Sequence, residues 1–385
     1  MEQDEATFLP TDDIIEEFDC EDAVSPDTPE DDFDITSDHG SHGSVDYDDV
    51  QYEGEEPTFS VSFGGSNEVY AVEYWNDYLV TGGQDDCVRF FTRDRVEGTL
   101  EVQMEDKGTD SVSCIKGKGQ YVAVGWVDGS LSVYMLKNKQ PELYARMQDT
   151  EGEIVWINWH KTDTILFGAN DGSVWSVSIV GNELQVNGVF SGNNLPSTAG
   201  IVTEKDTLIT GDERGTVFIF SIPTLDLKRK FQVSSSVVSI LHTTNRLLLS
   251  TVDGQVYVIG DDGQGAPKLV LSADSDSIEQ LVYSKYGNCI VIGSLSGRLI
   301  MLDPSTMNVK QDMTFGYGIC HVRVVEDQLL LGSDDGRLFM ISTGTGELSR
   351  SFATNSAPIH GVCVDTHARE LAICTGDGSV HIYSI

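Results

Sequence analysis

The sequence predicts an all-β protein, a propeller of eight four-stranded blades behind an acidic, disordered N-terminal tail. Three observations predict it: a tight turn that recurs eight times, apolar runs on both sides of each turn, and a shift in charge near residue 57. The turns are Asp85-Asp86, Asp128-Gly129, Asp171-Gly172, Arg214-Gly215, Asp253-Gly254, Ser296-Gly297, Asp335-Gly336 and Asp377-Gly378. Their second residues are separated by 43, 43, 43, 39, 43, 39 and 42 positions. A period of about 40–45 residues centred on such a hairpin is that of a WD40-type blade. The first turn lacks glycine, so a seven-bladed ring stays open as the alternative.

Each unit reads as strand, strand, tight turn, strand, then a weaker fourth strand. In the second unit, Val112 to Ile115 and Tyr121 to Trp126 are apolar runs. Asp128-Gly129 then turns the chain, and Leu131, Val133 and Met135 alternate beyond it. Glycine at the second turn position accepts the positive φ that the favoured hairpin turns demand. The preceding Asp can bond the turn backbone itself. One such sheet cannot bury both its faces, so the unit must repeat and stack.

The ends of the chain complement each other. The eighth unit runs Ile359 to Val364, Leu371 to Cys374 and Val380 to Ile385, and has no fourth strand of its own. One spare apolar segment, Thr58 to Phe63, precedes the first unit. Pairing it with the eighth blade would close the ring and cover an exposed sheet edge. The expected division is a disordered acidic tail over 1–57 and a propeller over 58–385.

Residues 1–57 hold 22 of the 62 acidic residues and none of the 24 Lys and Arg. Such a segment cannot bury enough apolar surface to fold alone. Its small apolar clusters, Ile14, Ile15 and Phe18, then Phe33 and Ile35, suit either a solubilising tail or transient docking of a basic partner. The propeller itself keeps 40 acidic against 24 basic residues. Phosphate backbones would be repelled, which disfavours direct nucleic-acid binding. A basic protein or peptide is the natural complement, drawn in faster at low salt.

The seven cysteines have no paired spacing, which suggests reduced thiols in the cytoplasm, with nuclear passage left open. No apolar run is long enough to span a membrane. Neither a phosphate-binding G-x-x-x-x-G-K-[ST] loop nor a G-x-S-x-G elbow occurs. The chain therefore reads as a non-enzyme without cofactor, working as a monomer. The best metal candidate, His360, Cys363 and His367, fails on geometry, because positions 360 and 363 of a strand face opposite ways.

Loops before first strands and the second-to-third-strand turns open on one face of a propeller. Acidic residues there make the candidate partner-binding ring. Before first strands these are Glu68, Asp110, Glu151, Glu153, Asp276 and Glu279, and at turns Asp85, Asp212, Glu213 and Asp334. Solvated surface is the plain alternative for any one of them. The Asp of each Asp-Gly pair reads as structural. Trp126, beside the second turn, is a candidate for stacking on a bound peptide, against simple packing between blades.

One stretch carries a resemblance. Glu153-Ile-Val-Trp-Ile-Asn-Trp-His160 leads to Leu166-Phe-Gly-Ala-Asn-Asp-Gly-Ser-Val-Trp175, then to Pro196-Ser-Thr-Ala-Gly200 and Gly211-Asp-Glu-Arg-Gly215. With Thr81-Gly-Gly-Gln-Asp-Asp86 in the first unit, this resembles the angio-associated migratory cell protein family and its fungal ribosome-assembly relatives. The likeness is closest over residues 70–220. None of the eight third strands ends in the usual Trp, with Phe91 and Tyr134 standing in the first two, and blades five to eight match less closely. The resemblance implies an eight-bladed ring without enzyme activity. It further implies a chaperone or adaptor that holds a basic segment of a newly made large-subunit ribosomal protein against its acidic upper face. The animal members raise an alternative, a signalling or cytoskeletal scaffold in cell migration.

Overall fold

The structure, a computed structural model, describes residues 54–385 except 64–66, 95–98, 182, 193, 261–264, 274–275, 366 and 368. The apolar clusters at Ile14, Ile15, Phe18, Phe33 and Ile35 lie outside the described residues.

The described residues form thirty-two strands, β1 to β32 in chain order, arranged as eight four-stranded antiparallel sheets. The first blade is β2 (Val69–Trp75), β3 (Tyr78–Gly83), β4 (Cys87–Asp94) and β5 (Thr99–Lys107), in that spatial order. Each later blade repeats the plan, until the last departs from it. There β30 (Ile359–Asp365), β31 (Glu370–Thr375) and β32 (Ser379–Ser384) are completed by β1 (Phe59–Ser62) from the start of the chain. The ladder pairs Phe59 with Ile382, Ser60 with His381, Val61 with Val380 and Ser62 with Ser379. The count is eight blades.

Burial explains the pattern read in the sequence. Second strands are wedged between neighbouring blades, four of them buried throughout, as Cys289–Ser294 and Glu370–Thr375 are, and the other four buried beyond their first residue. That is why they appear as short continuous apolar runs rather than alternating ones. Outer strands alternate or lie exposed, as β5 does. Blades approach so closely that a Cβ on Gly211 would sit 2.4 Å from Val237 Cβ in the next blade.

The first turn, without glycine, still forms. Asp86 takes φ +61° where the seven glycines take +79° to +90°. Asp tolerates this left-handed conformation better than most residues because its short polar side chain can bond locally.

Candidate partner-binding face

Turns and interblade loops form a single packed layer. A Cβ on the turn glycine Gly378 would lie 2.4 Å from the Asn67 carbonyl oxygen, and one on Gly215 2.4 Å from that of Ser235. The loop before each blade's first strand thus rests against the turn of the blade before it. Among the described residues, the loops of this face carry only Arg214 and Arg337 as Lys or Arg, against fifteen carboxylates.

Every first strand carries a β-bulge just after its opening residue, skipping Tyr70, Glu279, Cys320 and His360 among others. A bulge re-aims the extra side chain. Here it brings side chains from separate blades together at the mouth of the ring. The rings of Tyr70 and His360 meet edge-on with centroids 5.7 Å apart. Glu68 places a carboxylate oxygen 3.3 Å from His360 Nε2, a contact that does not meet hydrogen-bond geometry.

Burial and the nearby Glu68 and Glu153 carboxylates push the Tyr70 hydroxyl pKa up. Burial and Asp110 likewise push Glu153 up. Carboxylates from the loops entering blades one, two and three therefore share one field. Across blades six and seven, burial with Asp334 and Glu279 pushes the Cys320 thiol up to about 11. Both sides of the mouth carry negative charge that a cation would relieve.

The remaining candidates divide by what already holds them. Glu151 and Glu213 are exposed. Asp110 accepts from the Ser111 backbone N–H at 2.7 Å, Glu279 from Ser277 Oγ at 2.6 Å, and Asp334 from Gly318 N–H at 3.0 Å. Asp85 is paired with Arg89 at 2.6 Å and accepts from Cys87 N–H. Asp276 accepts from both the N–H and the hydroxyl of Ser296, at 2.8 and 2.5 Å. It thereby does for the Ser296-Gly297 turn what the turn's own Asp does in the blades that have one.

Two expectations are corrected. Asp212 is only 5% exposed and accepts from Arg214 N–H and Thr216 N–H, so it holds its own turn rather than facing a partner. Trp126 has no exposed surface. Its indole N–H donates to Ser132 Oγ at 2.9 Å, and the Arg146 guanidinium covers its ring at 5.4 Å. The loop before blade two closes over it, since a Cβ on Gly108 would strike the ring at 2.3 Å. It is a packing residue between blades one and two.

The Asp residues of the Asp-Gly turns hold those turns as expected, Asp171 accepting from Ser173 N–H and Oγ and Asp377 from Thr375 Oγ1 and Ser379 N–H. His360 faces the mouth while Cys363 is buried in the core. Among the described residues no group of three His, Cys, Asp or Glu side chains is placed to hold a metal. Tyr70, His360 and Cys320 had no local sequence signal; only the repeated bulge identifies them.

The ring, its closing strand and its turns define a WD40-type β-propeller. No protein-family model matches the chain. It is 24% identical over 336 residues to the angio-associated migratory cell protein of Canis lupus familiaris, and 23% identical to that of Homo sapiens, covering 80% of this chain and 75% of each relative. It is 23% identical over 305 residues to the ribosome assembly protein SQT1 of Saccharomyces cerevisiae, covering 70% of both. The crystal structure of S. cerevisiae Sqt1 superposes with a TM-score of 0.78 at 17% identity, over 86% of this chain and 99% of that one. Chaetomium thermophilum Sqt1, bound to the N-terminus of the ribosomal protein L10, gives 0.76 at 19% identity, over 86% and 100%. The chain is thus similar to the angio-associated migratory cell proteins and to Sqt1, the group its sequence motifs resemble.

Proposed function

We propose that this chain is a cytoplasmic chaperone that binds a basic segment of a newly made large-subunit ribosomal protein, and that it does so without catalytic activity. The observation that carries the reading is the gathering of Glu68 and Glu153 around Tyr70 at the mouth of the ring, with Asp110 acting on Glu153 in turn. Carboxylates held close together without a cation among them favour a ligand that brings its own positive charge. Several modest contacts spread over the mouth would bind a lysine- or arginine-rich segment better than one strong pair. The relatives support the same reading, since one is a ribosome assembly protein and another was crystallised with a ribosomal protein's N-terminus. The six described cysteines are free thiols, in keeping with a reducing compartment. A scaffold role in cell migration has only the name of the animal relatives in its favour.

Affinity capture on the full-length chain tests the reading. A strongly basic large-subunit ribosomal protein should be recovered at low salt and released at high salt. Recovery of receptor tails or cytoskeletal proteins alone, indifferent to salt, would sink it.

A further inference from the structure

Ring closure does not stop at the four residues of β1. The chain just before it, Gly54 to Pro57, crosses from blade eight onto β29 (Leu348–Phe352), the outer strand of blade seven. Glu55 forms a parallel bridge with Phe352 there, its N–H donating to Ser351 O at 2.9 Å and its carbonyl accepting from Ala353 N–H at 2.9 Å. Gly54 lies so close that a Cβ would sit 2.4 Å from the Ala353 nitrogen. The Glu55 carboxylate takes a two-pronged contact from Arg350, with Nε at 2.7 Å and Nη2 at 2.5 Å. The same Nη2 donates to Ser384 O at the end of β32, 2.7 Å away, and the guanidinium stacks over Phe352 at 5.1 Å. At the other end of the segment, Phe63 packs on Phe91 of blade one and lies under the Arg89 guanidinium at 4.5 Å.

Ten residues thus touch three consecutive blades. The β1–β32 ladder is short, and it lacks the bulge that the other third-to-fourth-strand pairs carry. A short edge strand opens readily unless something else anchors it. We propose that Gly54–Pro57 is a latch, and that the Glu55–Arg350–Ser384 junction sets how readily the closing strand leaves blade eight. A two-pronged charge-assisted contact is the geometry in which a half-exposed ion pair still contributes. The contact also draws the Glu55 carboxyl below the usual glutamate range.

Hydrogen–deuterium exchange on the full-length protein, read in peptides spanning 54–63 and 379–385, tests this. Glu55→Gln should speed exchange in both peptides by about tenfold, with blades three to five unchanged. Glu56→Gln, one residue along and exposed, should leave both at the wild-type rate. Raising salt should speed exchange in the wild type but not in Glu55→Gln. Wild-type exchange in Glu55→Gln, or equal acceleration by Glu56→Gln, would overturn the proposal.

Discussion

The hydroxyl of Ser60 in β1 lies 2.7 Å from Nδ1 of His381 in β32, joining strands 321 residues apart in the sequence. His381 is 4% exposed, and burial lowers its pKa below the ordinary histidine value, against a smaller upward pull from Asp377. A histidine lowered in the folded state binds fewer protons there than when unfolded. Stability is therefore full above about 6.5, the unfolded value, and is lost as pH falls toward the folded one. His321, buried beside Arg323 and held at about 4, acts in the same direction. Denaturant midpoints between pH 7.5 and 5 should fall for the wild type and fall less for His381→Gln. An identical slope in the two proteins would remove His381 from the account.

Trp126 should matter for stability and not for binding. Truncating a wholly buried Trp costs about 3–5 kcal/mol, so Trp126→Ala should lower the unfolding midpoint strongly. The milder Trp126→Phe, which loses only the bond to Ser132 Oγ and some packing, should bind basic peptide as the wild type does. A selective loss of binding in Trp126→Phe would restore a partner role to it.

The first turn should accept glycine and reject a branched residue. Asp86→Gly should change stability by less than about 1 kcal/mol, while Asp86→Val should cost about 1–2 kcal/mol for its left-handed backbone. Thermal unfolding of both variants gives the answer, and a harmless Asp86→Val would mean the turn differs from its seven counterparts.

Much of this fold was legible because its signal is local. The turn pairs, their spacing and the spare segment Thr58 to Phe63 can all be read within a few residues of one another. The lost parts depend on residues far apart in the chain. Trp126 ends a second strand beside a turn, and sequence cannot tell that Gly108 admits its ring beneath the next loop. Asp276 caps the Ser296 turn from twenty residues away, so it passes for a free loop carboxylate. Gly54 to Pro57 is polar and acidic like the segment before it, and only its contacts with blade seven tie it to the propeller. The bulge that delivers Tyr70 and His360 to the mouth leaves no mark in composition, since each first strand simply contains one residue more than its partner pairs.

The acidic mouth should discriminate by charge and by face. Asp110→Lys with Glu153→Lys reverses two of the carboxylates that share a field, while Glu326→Lys alters an exposed turn at the opposite ends of the strands. Isothermal titration of the full-length chain with a lysine- and arginine-rich peptide, patterned on the N-terminus of a large-subunit ribosomal protein, compares them directly. Binding should be at least about tenfold weaker for the double variant and unchanged for Glu326→Lys, and should weaken for the wild type as salt rises. Equal affinity in all three proteins, or binding that ignores salt, would contradict a binding role for the acidic mouth.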